Sequence, residues 1–328
     1  MTACWPRARS AVGARAVLKA SAEDFRVTEL PAFRPEGDGE HLYLHLRKTD
    51  LTTPAVADWL AQVFGVPGVA VGYAGMKDRR AVTTQWFSVH TAQDAEALTA
   101  RSGVALLASA RHRRKLRRGE LAGNRFQVRL TEVQGDAWAD GLAWLARRGA
   151  PNYFGAQRFG GDNLIRARAW LAARRPRRVG VFRQGLYLSV LRSFLFNEVL
   201  AARVRAGVWD VCLAGDVPVA LPTPDLAAAD VPPEVPSGPL WGRGRPPVGG
   251  AAAAFETEAL AGHAALREGL EHAGLSQERR SLVLRAPDLA WRSDGDSVEV
   301  EFSLPAGGYA TTLLAEAFDL VLPAWRAG

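Results

Sequence analysis

Cysteine is nearly absent. Cys4 and Cys212 are the two present, far apart and in no metal-ligand spacing. A disulfide framework and a zinc ribbon are thereby excluded, and a reducing, cytoplasmic setting is expected. The six histidines do not pair at ligand spacing either, so no metal is expected. His41 and His45 alternate opposite a row of leucines and are read as surface residues. No stretch approaches the roughly 20 apolar residues that span a bilayer. The opening MTACWPRARSAVGARAVLKA has arginines but no apolar signal-peptide core, so no membrane association is expected. Phosphate-cradling loops are missing too. GYAGMKD lacks the GK[ST] ending and opens no helix. No glycine-rich cofactor loop runs into a helix, which argues against a methyltransferase. There is no internal repeat.

What is present is an ordinary globular composition, 48% hydrophobic and 23% charged over 328 residues, a length that favours two domains. The balance is basic, at net +7 with a pI near 9.9. Charge is also segregated. Residues 163–197 hold eight arginines and no acid, RHRRKLRR at 111–118 has six Lys or Arg, and 206–242 has five acids and no Lys or Arg. A one-sided basic surface that meets a polyanion fits this pattern.

Both ends of the chain read as strand-rich. Residues 25–29 and 42–46, then Phe126, Val128 and Leu130, then Val298, Val300, Phe302 and Leu304, alternate with polar neighbours at the period of a half-buried strand. LTTPAVADWLAQVFG is a helix, with Thr53 as N-cap, Pro54 in the first turn and Gly65 ending it. A further helix is expected around 136–148. The middle reads differently. It has helical stretches near 163–173 and 190–205, and a segment, Val217–Pro247, that holds nine of the nineteen prolines. That segment is expected to be irregular and exposed. The simplest architecture is an α+β domain with a mixed or antiparallel sheet, built from 1–151 and 294–328, with a mostly helical domain, 152–293, inserted.

The segment with most chemical content is VGYAGMKDRRAVTTQWFSV, residues 71–89. A strand ends in a loop that presents Lys77 and Asp78, and the chain returns as a strand. Carboxylates at strand ends are common catalytic positions. On composition alone, a solvated turn in which Lys77, Arg79 and Arg80 neutralise Asp78 is the simpler reading.

Three blocks carry a resemblance. GMKDRRAVTTQ is similar to the G-x-K-D-x-x-A-x-T-x-Q signature of the TruD pseudouridine synthases, with every fixed position present. PNYFGAQRFGGDN, residues 151–163, resembles that family's N-Y-F-G-x-Q-R-F-G stretch, and LKASAEDFRVTEL, residues 18–30, its opening K-x-x-x-E-D-F-x-V-x-E block. ARHRRKLRRGELAGNRF, RSFLFNEVLAARV and FSLPAGGYATTLLAE are weaker echoes. The matches run from about residue 17 to 318.

The resemblance implies an isomerase that converts a uridine of transfer RNA, at position 13, to pseudouridine. Asp78 is then the nucleophile and Lys19 its charge partner. Phe126 and Phe25 match aromatic pocket positions, and Asn124 would hydrogen-bond the base or orient Asp78. The target base must leave its stack to be reached. Arg113, Arg114 and Lys115, within the Arg111–Arg118 cluster, and the Arg174–Arg178 cluster are expected to meet phosphate, the other reading being a solvated face. Gln157 and Arg158 either hold RNA backbone or anchor the insert. No cofactor is implied, and a monomer with transfer RNA as its partner is expected. The rival is a non-catalytic RNA-binding or RNA-folding protein on the same scaffold.

Overall fold

The computed structural model describes residues 5–9, 12–160, 162–173, 179–221 and 234–323. The alternating segments pair as expected into a mixed sheet of ten strands among the described residues. Its strands include β1 (Arg15–Leu18), β2 (Phe25–Pro31), β3 (His41–Thr49), β4 (Val71–Tyr73), β5 (Val82–His90), β6 (Val104–His112) and β7 (Leu121–Gln134). Ala290–Asp294, Ser297–Pro305 and Asp319–Val321 complete it. The central order is Ala290–Asp294, Ser297–Pro305, β7, β2, β5, β3, β6. β2 runs parallel to β5, whereas β7 pairs antiparallel with both β2 and Ser297–Pro305.

One face of the sheet is covered. Leu42, Leu44 and Leu46 of β3 pack with Val56, Leu60 and Phe64 of helix α1, Thr53–Val63. Phe126, Val128 and Leu130 of β7 pack with Phe302 and with Leu142 and Leu145 of helix α2, Trp138–Arg148. A separate cluster between Tyr153 and Val283 surrounds the helix Val181–Arg205. That helix is long and apolar enough, by length and composition, to cross a bilayer, and 67% of its apolar window is buried inside the protein. It begins at Val181, well before the expected start near 190.

Three local expectations are corrected. The N-cap of α1 is Thr52, whose hydroxyl accepts from the Ala55 amide at 3.2 Å. Thr53 is therefore inside the helix and buried. The proline-rich segment is not wholly an exposed excursion. Residues 222–233 lie outside the described residues, but Ser237–Leu240 pairs with Glu278–Ser281, and Val235, Ser237 and Trp241 are buried. Pro239 lies in this two-stranded pairing, where an edge tolerates the missing donor. His41 and His45 are half-buried, not simply surface: His45 stacks on Trp86 at 4.7 Å and His41 meets His90 at 4.9 Å. Burial lowers the pKa of both rings.

Candidate active site

The loop between β4 and β5 carries Asp78. Register explains why it lies at the middle of the sheet: β5 lies between β2 and β3, so a loop entering β5 meets both neighbours. Lys19 reaches it from the end of β1 and forms an ion pair with the Asp78 carboxylate. The Lys19 side chain is 2% exposed and that of Asp78 36%. The Lys19 ammonium also lies 3.8 Å from the Phe25 ring centroid, a cation–π contact. Its backbone is left-handed, with φ of 61°, a strained conformation for a residue with a side chain.

Five further side chains fix the loop. Lys48 follows Leu42, Leu44 and Leu46 on the inner face of β3 and is fully buried. Its Nζ donates to the carbonyls of Leu51 at 2.6 Å and Asp78 at 3.0 Å. Burial pushes its pKa down to about 8, against the opposing pull of the Asp78 charge and with the repulsion of Lys77. The Lys77 ammonium turns away from Asp78 and pairs with Glu29 at 2.7 Å, both side chains buried. The other Glu29 oxygen accepts from the Trp86 amide at 3.2 Å. The Thr53 hydroxyl accepts from the Lys77 amide and donates to Gln85 Oε1, both at 3.0 Å. Gln85 Nε2 donates to the Gly75 carbonyl at 3.2 Å. Three backbone groups of the loop, the Lys77 amide and the Gly75 and Asp78 carbonyls, are thus held by side chains, and Asp78 is the loop's partly exposed acid.

This assigns work to the fixed letters of the matched blocks. Lys77 and Gln85, from the signature, and Glu29, which closes the opening block, anchor the loop. Lys48, Glu29, Thr53 and Gln85 were missed as site residues. The one usable signal was Lys48, a lysine that continues a leucine alternation and so takes a core position.

The remaining expected residues are dispersed. Asn124 stands opposite Glu29 on one side and Leu304 on the other, and its Oδ1 is buried without a hydrogen-bond partner. No hydrogen bond joins it to Asp78. Phe126 is 7% exposed and stacks on Phe302 at 5.3 Å, with Phe25 edge-on at 6.0 Å. Both Phe25 and Phe126 therefore belong to the core cluster beside the site. Arg113 is exposed and ion-paired to Asp38 at 2.9 Å and Glu36 at 3.6 Å. Arg114 pairs with Glu120, and Lys115 donates to the Val69 carbonyl. Gln157 is exposed, and Arg158 donates to Ser193 Oγ at 3.2 Å. Arg174–Arg178 lies outside the described residues.

Comparison with known proteins gives the family of the chain. The model of the family described as tRNA pseudouridine synthase D (TruD) matches residues 7–168 and 182–317. A Methylococcus capsulatus protein named tRNA pseudouridine synthase D is 46% identical over 342 residues, covering 98% of this chain and 96% of that one. One of the same name from Nitrosococcus oceani is 44% identical, covering 92% and 90%. The solved structure of a Methanosarcina mazei protein assigned to the same group superposes with a TM-score of 0.70 over 95% of each chain, at 20% identity, which supports the fold. The chain belongs to the TruD family of tRNA pseudouridine synthases.

Proposed function

We propose that this protein isomerises a uridine of transfer RNA to pseudouridine, with Asp78 as nucleophile acting on a base turned out of its stack. The observation that carries this reading is a single partly exposed carboxylate, Asp78, ion-paired to buried Lys19 on a loop whose backbone is held by Lys48, Thr53 and Gln85. The reaction breaks the N1–C1′ bond, turns the base and joins C5 to C1′. The proton on C5 is lost and N1 ends with one, so atoms balance without an oxidant, reductant or group donor. A carboxylate serves both as the anionic group that engages the nucleotide and as the base that takes the proton. The Lys19 ammonium balances the carboxylate's charge when RNA covers the loop.

Asn124 supports the base-binding part of the proposal. Its unpartnered buried oxygen is an acceptor suited to the N3–H of uracil, and a buried polar atom gains by finding such a partner. Phe126 and Phe25 then form the apolar wall behind it. Residue 13 of transfer RNA is the proposed target. The two hydrophobic clusters support a catalytic domain from both chain ends with an inserted domain between. Cluster membership supports a return to the catalytic domain near Leu284.

The test is incubation with unmodified transfer RNA, without any cofactor, followed by chemical mapping of pseudouridine. Product at one uridine, lost in Asp78→Asn, is the expected result. A non-catalytic RNA-binding protein would give none with the wild type.

A further inference from the structure

Two guanidinium groups that form no ion pair among the described residues stand against one ring, Phe154, where the two hydrophobic clusters adjoin. Arg280 lies on the strand Glu278–Ser281, opposite Gly238. Its Nη2 donates to Asn152 Oδ1 at 2.7 Å and to the Gly307 carbonyl at 3.0 Å. It thereby ties the N-Y-F-G block to the glycine turn after Ser297–Pro305. Its guanidinium carbon stands 4.3 Å from the Phe154 ring centroid. Arg158, on the short helix Ala156–Phe159, stands 5.8 Å from the same centroid. Among the described residues neither arginine has an ion pair. Arg158 bonds Ser193 through Nε, and its terminal nitrogens have no hydrogen-bond partner among the described residues. The Nε of Arg280 is buried without a hydrogen bond.

Two like charges around one ring, one of them largely withdrawn from water, cost free energy unless an anion joins them. Burial lowers the pKa of Arg280 to about 10, with the Arg158 charge acting in the same direction. Arg280 nevertheless remains cationic at neutral pH. A guanidinium fork matches two oxygens of a phosphate and is less costly to desolvate than an ammonium. The position also matters. The turn held by Arg280 continues the strand in which Leu304 lies opposite Asn124, and Asn124 lies opposite Glu29, the anchor of Lys77.

The geometry points to a phosphate site at this seam, in which Arg158 and Arg280 together grip one phosphodiester of the RNA and so fix its backbone relative to Asp78. The identity of the polymer rests on the pseudouridine-synthase reading. Asn152 and Phe154 act as positioning residues, by holding and shielding Arg280.

The test uses Arg158→Gln and Arg280→Gln with full-length transfer RNA, measured by binding over a salt series and by steady-state pseudouridine formation. Each variant should bind about tenfold more weakly, the size of one charge-assisted hydrogen bond. The slope of log K against log salt should fall by about 0.7 to 0.9 for the lost phosphate contact. The loss should appear in KM more than in kcat. A methylphosphonate scan of the substrate should reveal one linkage whose neutralisation weakens the wild type and leaves Arg158→Gln unaffected. Should Arg280→Gln fail to fold by circular dichroism, the half-exposed Arg158 decides alone. An active wild type with unchanged KM and salt slope in Arg158→Gln would overturn the site. A wild type that binds with the expected slopes but forms no pseudouridine would leave the phosphate site standing and sink the enzymatic reading.

Discussion

Asp78→Asn separates the chemistry from the fold. The change keeps the shape of the side chain and removes its charge. Pseudouridine formation should fall to background, because Lys77 is committed to Glu29 and no other carboxylate stands on this loop. Binding of transfer RNA should survive, and tighten slightly, since a negative charge leaves a surface that meets phosphate. The stability effect follows from the two exposures. A solvent-open loop carboxylate would contribute within about 0.5 kcal/mol, but Asp78 is paired with a lysine 2% exposed. Exposed pairs contribute about 0–1 kcal/mol, whereas breaking a buried pair costs about 3–5. With Asp78 itself 36% exposed, the cost should lie between, at roughly 1–2 kcal/mol. For 328 residues unfolding together, that lowers Tm by about 2–3 °C. The assays are pseudouridine mapping, filter binding and thermal melting on one preparation. Retention of the wild-type rate would refute the nucleophile assignment even if the family is right. Joint loss of fold and binding would show that Asp78 is structural.

Glu29→Gln should destabilise by about 3–5 kcal/mol by leaving the Lys77 ammonium buried and unpaired; adding Lys77→Met should recover part of this in urea melts, and simple additivity of the two losses would argue against the pair. Lys48 should give the wild type a stability that rises with pH above about 8. Its folded-state pKa lies below the unfolded value near 10.4, so the unfolded chain binds more protons in that window, by a slope of up to ~1.4 kcal/mol per pH unit. Lys48→Met should lack that rise in denaturant titrations at pH 7 to 10. Replacing Arg113, Arg114 and Lys115 together with Ala should flatten the salt dependence of transfer RNA binding by about 0.7–0.9 per lost phosphate contact; an unchanged slope would mean that Asp38, Glu36 and Glu120 already satisfy the cluster.

The sequence by itself determined what short-range pattern can encode. Leucine alternation located β3, valine and phenylalanine alternation located β7 and Ser297–Pro305, and the Thr-Pro start located α1 to within one residue. The three matched blocks identified the family and led to Asp78 and Lys19. Their pairing across 59 positions followed from the resemblance, since periodicity alone carries no such information. Tertiary structure decided the rest, because a charged side chain does not declare its partner along the chain. Lys77 looked like a companion of Asp78 and instead pairs with Glu29, 48 positions away. That choice depends on β2 lying parallel beside β5, a pairing set by the whole sheet. Thr53 looked like a cap, yet one residue of shift buries it and makes its hydroxyl a brace for the loop. Arg280 was invisible among many arginines. It became distinct only when folding drew it largely out of water near Arg158 with no ion pair among the described residues, since an unpaired charge signifies nothing until water has been taken from it.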